Sequence, residues 1–149
     1  MARVRAVIIA VDELLSPDRP VAHSDRLAAA VGALAGWCRV WVVGATPLPL
    51  PPEVAPRIQR ASNLQDVASL PDLASGERAD ILVVGAHPRA SVRFGNARSW
   101  STALVAADGP PPQSDGLDEA PDFILPDVED LPHLVARIER DEADFEGVE

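Results

Sequence analysis

Five short, nearly continuous apolar runs are the feature of this 149-residue sequence that most restricts its fold. Apolar and polar side chains do not alternate regularly within them. Such runs are typical of strands buried on both faces, as in a parallel sheet covered by helices. The runs are Val4–Val11, Val40–Val43, Ile81–Val84, Thr102–Ala106 and Phe123–Leu125.

The segments between these runs carry helical patterns. The first predicted helix is capped by Ser24 or Asp25 and ends at Gly36. The last is capped by Asp130 and accommodates Pro132 in its first turn. Two weaker helices are predicted at Glu53–Arg60 and Asn63–Leu70.

Strands that alternate with helices predict one three-layer α/β domain, with a parallel sheet and helices on both faces. In such a doubly wound domain the functional site lies at the carboxyl ends of the strands. We expect this domain over residues 1–140. Residues 141–149 are acidic and poor in apolar side chains, so a disordered tail is predicted there. Phe145, the one aromatic residue of the tail, is a candidate anchor for a partner protein.

Charge is distributed unevenly along the chain, whose net charge is −10. Residues 1–106 carry eleven arginines and nine acids, a net +2, whereas residues 107–149 carry two arginines and fourteen acids, a net −12. Nucleic acid is therefore not an expected partner, because phosphate contacts need clustered basic side chains. A protein with a basic surface is the expected partner, and assembly with identical copies stays open.

Other classes of protein are disfavoured by composition. No apolar run approaches the roughly 20 residues that span a bilayer, and the N-terminus does not read as a signal peptide, so a soluble, cytoplasmic protein is expected. Cys38 is the one cysteine, which excludes an intrachain disulfide. The three tryptophans are predicted to pack in the core or at the sheet edge: Trp37, Trp41 and Trp100.

The segment Ile81–Val105 carries the most specific pattern of the chain. It resembles the haloacid dehalogenase-like (HAD-like) superfamily of phosphohydrolases, in which a strand precedes Gly-Asp, four residues, Asp-Val, two residues, Gly, six residues and Thr. This sequence follows that frame without a gap, and the resemblance extends over nearly the whole chain to about Arg140. It implies a Rossmann-like fold. No cap domain is expected, because the segments after Leu15 and Gly44 are too short to hold one. The residues at the frame positions are Gly85, Ala86, Ser91, Val92, Gly95 and Thr102.

The resemblance implies that the catalytic groups of the family are missing. In such phosphatases an aspartate at the end of the first strand attacks phosphorus, and a second aspartate two residues later acts as acid and base. Ala10 stands in the first position and Asp12 in the second. The later loop supplies carboxylates to Mg²⁺, which prefers hard oxygen ligands, but here it has Ala86 and Ser91. We therefore expect no catalysis by the family mechanism and no cofactor, with Mg²⁺ binding lost.

The phosphate-gripping positions implied by the resemblance are also altered. The hydroxyl after the second strand maps to Gly44, or to Thr46 if the loop has slipped, and the sequence has no lysine to balance charge. Glu13 and Leu14 replace a small Gly-Thr pair, so their bulk is expected to fill a place built for an anion. The residues left as candidates for ligand binding are Asp12, Thr46, His87, Arg89 and Ser91.

Three functions follow as hypotheses. The first is a catalytically inactive HAD-like protein that acts through protein interaction, as a regulator, accessory subunit or scaffold. The second is a sensor that binds a phosphorylated metabolite or nucleotide without hydrolysing it. The third is a divergent phosphohydrolase that uses Asp12. A universal-stress-protein-like fold is the alternative for the segment Val83–Arg89, although of the glycines that its nucleotide loop requires only Gly95 is available.

Overall fold

The computed structural model describes residues 6–15, 24–46, 48–68, 81–98, 100–105 and 121–138. Six strands form one sheet in which every pair of neighbours is parallel. Their order is β3-β2-β1-β4-β5-β6, so β1 and β4 lie at the centre. The strands are β1 Ala6–Ala10, β2 Arg39–Val43, β3 Ile58–Ala61, β4 Ile81–Gly85, β5 Ser101–Val105 and β6 Phe123–Leu125.

Helical segments connect the strands. The α-helices are α1 Val11–Leu14, α2 Ser24–Ala35, α3 Leu64–Ala68, α4 Arg93–Ala97 and α5 131–138. A π-helical segment, Pro88–Val92, leads directly into α4. Two short 3₁₀ turns complete the connections, Ala55–Arg57 and Val128–Asp130.

The core has two parts because side chains on successive strand residues point to opposite faces of the sheet. Val7 and Ile9 of β1 belong to the larger cluster, which α2 and α5 cover. Ile8 belongs to the smaller cluster on the other face, with Trp100. Every residue of β1 and of β4 is buried, as predicted for strands covered on both faces. The structure thus confirms an α/β sheet flanked by helices on both sides.

One predicted helix is wrong. Glu53–Arg60 was expected to be helical, but the chain makes a 3₁₀ turn at Ala55–Arg57 and then forms the edge strand β3 from Ile58. Pro56, within this segment, lacks the N–H group that a continuous helix needs. Gln59 and Arg60 are exposed, so the strand lacks the apolar run that marked the others.

Two smaller predictions also need correction. The cap of the C-terminal helical segment lies at Asp127 rather than Asp130, because a 3₁₀ turn precedes α5 and the Asp127 carboxylate accepts the Glu129 N–H at 3.0 Å. Trp37 was expected to be packed but is 55% exposed, whereas Trp100 is buried. Within the described ranges, no helix is long and apolar enough to cross a membrane.

Candidate functional site

The carboxyl ends of β1, β2 and β4 meet at the centre of the sheet. The strand order reverses here, because β1 lies between β2 on one side and β4 on the other. Crevices outside the strand ends at such a reversal are where doubly wound proteins bind ligands. We call this region the switch-point site and define it as Ala10–Glu13, the loop 44–46 after β2, and the segment 86–91 after β4.

Asp12 binds the loop after β2. Its carboxylate accepts the backbone N–H groups of Ala45 at 3.1 Å and Thr46 at 2.8 Å. It also accepts the Thr46 hydroxyl, through Oγ1. The sequence offered Gly44 or Thr46 for the hydroxyl after the second strand. Thr46 is the one whose hydroxyl points into the site, where it is bonded to Asp12. The three bonds place Asp12 as a group that holds the loop.

Gly44 makes this contact between Asp12 and the loop possible. Its φ is +130°, a conformation that residues with a Cβ rarely adopt. A Cβ at this position would also lie 2.6 Å from Asp12 Cγ. Glycine is therefore required here for both backbone conformation and space, which gives Gly44 a structural reason independent of any phosphate contact.

Glu13 binds the segment after β4 in a similar way. Its Oε1 atom accepts the backbone N–H groups of Ala86 at 3.1 Å and His87 at 2.8 Å. It also accepts the Ser91 hydroxyl at 2.8 Å. A Cβ on Gly85 would overlap Ser91 Oγ and lie 2.7 Å from Glu13 Oε1. The end of β4 is thus shaped around the Glu13 carboxylate.

The two carboxyl groups differ in their electrostatics. Hydrogen bonding by Thr46 holds the pKa of Asp12 below its ordinary value, against a smaller opposing effect of burial. Burial raises the pKa of Glu13, and its bonds from Ser91, Ala86 and His87 oppose that rise only in part. A buried carboxylate is costly without hydrogen-bond donors, so the three donors of the β4 segment are needed to keep Glu13 in place.

The positions that the HAD-like resemblance assigns to metal ligands do not fit Mg²⁺ in this arrangement. Ala10 and Ala86 offer no side-chain oxygen, and the Ser91 hydroxyl is 1% exposed and donates to Glu13. The oxygen atoms of Asp12 and Oε1 of Glu13 already accept bonds from N–H and O–H groups. Across the described residues, no group of three or more histidine, cysteine, aspartate or glutamate side chains is arranged to hold a metal ion.

The other predicted ligand-binding residues are only partly assembled. His87 lies within the site and is exposed, and its backbone N–H is bonded to Glu13. Ser91 is buried and bonded to Glu13, so a ligand could reach its hydroxyl only by displacing that carboxylate. Arg89 lies in the segment Pro88–Val92, but its side chain is outside the described part of the chain, as is Phe145 of the tail.

Glu13 is the site residue whose role the sequence did not reveal. It was expected to contribute bulk, whereas its carboxylate supplies the acceptor for three donors. A signal was present, because Asp12 and Glu13 are the two acids that interrupt the apolar stretch 6–15. A carboxylate near the end of a buried strand needs hydrogen-bond donors, which the loops at neighbouring strand ends can supply.

Comparison with models of known protein families gives no match to this chain. A search of curated proteins likewise finds no significant similarity. The fold and the site define the chain as a doubly wound α/β protein whose strand-end loops bind its own carboxylates.

Proposed function

We propose that this protein is a catalytically inactive HAD-like protein that acts by binding another protein, as a regulator, accessory subunit or scaffold. One observation carries the proposal. Both loops at the switch-point site use their N–H and O–H groups to bind Asp12 and Glu13 of the same chain. Because these donors are taken, the location where doubly wound proteins hold a ligand is filled from within.

The chemistry of the site supports inactivity. Ala10 has no nucleophilic atom, and Asp12 is bonded to Ala45 and Thr46 rather than free to exchange a proton. Its lowered pKa keeps it ionised, which further weakens it as a general acid near neutral pH. A phosphohydrolase that uses Asp12 therefore has little support from the geometry.

Membership of the HAD-like superfamily is part of the proposal. The sheet order β3-β2-β1-β4-β5-β6 supports it, although dinucleotide-binding proteins have the same order. The absence of a cap domain is proposed because only nine residues, 15–23, separate α1 from α2. Connections of this length join adjacent elements and do not hold a further domain.

A protein partner with a basic surface is proposed from the distribution of charge. The C-terminal part from residue 107 has a net charge of −12, which favours a basic partner surface. A sensor of phosphorylated ligands is less well supported, because a phosphate would need donors that Asp12 and Glu13 now occupy.

Affinity purification of the full chain from its native cell tests the proposal. We expect a stoichiometric protein partner that is lost in high salt, because electrostatic contacts are screened. A second sample that lacks residues 141–149 shows whether the acidic tail contributes. Recovery of the chain alone, or with a substoichiometric background equal to that of an unrelated acidic protein, would contradict the proposed function.

A further inference from the structure

An open apolar groove runs along one face of α2. It has a volume of about 520 Å³ and lies between the helix and the chain segment 49–51. The opposite face of α2, with Leu27, Val31 and Leu34, is buried in the core. The groove is lined by Asp25, Ala28, Ala29, Gly32, Pro49, Leu50 and Pro51.

The floor of the groove allows a close approach. Its α2 residues are spaced by three and four positions, so they form one row along the helix. All but Asp25 are alanine or glycine, and the row covers about 10 Å at 1.5 Å per residue. Val54 bounds the far end, with its Cγ2 atom 3.6 Å from where a Cβ of Gly32 would lie. Small side chains of this kind let the axis of a second helix come within about 8 Å.

The walls of the groove favour a helical occupant. An extended peptide binds by pairing its backbone with free N–H and C=O groups. Beyond the first turn, the backbone N–H groups of α2 are bonded inside the helix. Of the wall residues 49–51 only Leu50 has an N–H, because Pro49 and Pro51 have none. The carbonyl of Pro51 already accepts the N–H groups of Val54 and Ala55, each at 3.0 Å. A helix satisfies its own backbone groups and can therefore lie in this groove without unpaired polar atoms.

Charge at the N-terminal end of the groove is negative. Asp25 is exposed and, among the described residues of the lining, is the one that carries a charge. The neighbouring Arg26 side chain instead forms ion pairs with Asp127 at 3.0 Å and Glu129 at 3.7 Å, at the 3₁₀ turn before α5. An occupant with arginine or lysine at that end would complement this charge.

We propose that the groove of α2 binds an amphipathic helix of a partner protein, with a small apolar face on Ala28, Ala29 and Gly32 and a basic residue at Asp25. This inference rests on the proposed function and names the surface through which it acts. Helices recognised in grooves present apolar side chains at spacings of three and four residues. The partner helix should therefore carry an apolar stripe with an arginine or lysine at the end that meets Asp25.

A displayed library of random 16-residue peptides tests the chemistry of the groove. We expect selection by the full chain to enrich peptides with apolar residues at helical spacing and a basic residue at one end. The substitution Ala29→Glu should weaken the selected peptides about tenfold or more, since it places a charge in the apolar floor. Ala33→Glu is the matched control, because Ala33 is also exposed on α2 but does not line the groove.

Charge specificity gives a second readout that a loss of stability would not mimic. In a fresh selection, Asp25→Arg should enrich peptides with an acidic residue in place of the basic one. The proposal is wrong if no peptide is enriched, if Ala29→Glu and Ala33→Glu bind the selected peptides equally, or if Asp25→Arg leaves the charge preference unchanged.

The same variants separate this inference from the proposed function. In affinity purification from the native cell, a partner retained by wild type and Ala33→Glu but lost with Ala29→Glu agrees with the groove. A partner retained equally by wild type, Ala33→Glu and Ala29→Glu overturns the groove and leaves the proposed function standing. Absence of a partner from wild type overturns the proposed function itself, whatever the library shows.

Discussion

Glu13 and Ser91 lie 78 positions apart in the chain, yet the Ser91 hydroxyl donates to Glu13 Oε1 at 2.8 Å across the ends of β1 and β4. Both side chains occupy the location where the HAD-like resemblance predicts anions and metal ligands. The bond links the central strands through a side-chain contact and keeps an internal carboxylate in the switch-point site. Because the bond stabilises the fold, the arrangement of the site can be tested by measuring the free energy of unfolding of its variants.

Ser91→Ala removes one of the three donors to Glu13. We expect a loss of about 1–2 kcal/mol in the free energy of unfolding, because a buried hydrogen bond to a charged group is lost without a change of shape. Chemical denaturation measures this, with Ser62→Ala as the control because Ser62 is exposed. Equal stability of the two variants would show that the Ser91–Glu13 bond does not hold the site.

Glu13→Gln and Glu13→Ala separate the charge of Glu13 from its role as an acceptor. Glutamine keeps a side-chain oxygen for the donors, whereas alanine leaves two N–H groups and a buried hydroxyl without their acceptor. We expect Glu13→Ala to be less stable than Glu13→Gln by about 1–3 kcal/mol. Urea denaturation of both variants at one pH gives the difference. If alanine is tolerated as well as glutamine, the loop does not depend on the carboxylate.

The pH dependence of stability should differ between Glu13 and Asp12. Burial raises the pKa of Glu13 in the folded state. The stabilisation that protonated Glu13 gives the fold is therefore fully present below the ordinary pKa of 4.5 and is lost as pH rises through the folded pKa. The pKa of Asp12 is lowered, so its contribution is present above the ordinary value of 3.8 and is lost as pH falls through the folded pKa.

The stability of Glu13→Gln relative to wild type should therefore increase as pH rises above 4.5. Asp12→Asn should be less stable than wild type above pH 3.8, and this difference should disappear as pH falls below 3.8. Unfolding free energies measured from pH 3 to pH 8 on wild type and both variants test the two signs. Parallel curves for all three proteins would contradict the assignment of the pKa shifts.

Gly44→Ala tests the contact between the loop after β2 and Asp12. The substitution places a Cβ at φ +130° and 2.6 Å from Asp12 Cγ, so we expect a loss of about 1–3 kcal/mol in stability. Gly36→Ala is the control, since its Cβ would meet no atom closer than 3.8 Å. Thermal unfolding should show Gly44→Ala as the less stable of the two, and the reverse order would contradict the description of this loop.

Restoring phosphatase carboxylates tests the proposed ancestry. A variant with Ala10→Asp, Ala86→Asp and Ser91→Asp should still fail to bind Mg²⁺, because a carboxylate at position 91 would meet that of Glu13. Adding Glu13→Gly removes this conflict and should produce magnesium binding by calorimetry. Circular dichroism shows whether each variant is folded, and a folded quadruple variant without magnesium binding would count against the HAD-like proposal.

The sequence predicted the sheet well because most of its strands are apolar throughout. β1 and β4 are buried at every residue, and this pattern is legible without knowledge of neighbours. β3 escaped prediction because Gln59 and Arg60 face solvent on an edge strand, where pairing with β2 stabilises polar residues. Edge strands of this kind depend on a partner strand that local periodicity does not show.

The candidate site was predictable in location but not in its bonding. The positions of Ala10, Asp12, Ala86 and Ser91 at the strand ends follow from the order of the apolar runs. The partners of Glu13 lie 73 to 78 residues away in sequence, so only the folded chain reveals that it is an acceptor. Asp12 and Thr46 are 34 residues apart, and their contact was hidden for the same reason.

Ligand binding and turnover by the wild-type chain test the central claim most directly. We expect inorganic phosphate, an aryl phosphate and ATP, each with and without Mg²⁺, to leave the unfolding temperature of the protein unchanged, because a ligand that binds the folded state would raise it. We also expect no hydrolysis of the aryl phosphate. Saturable stabilisation by any of these compounds, or hydrolysis that Asp12→Asn abolishes, would contradict an internally filled, inactive site.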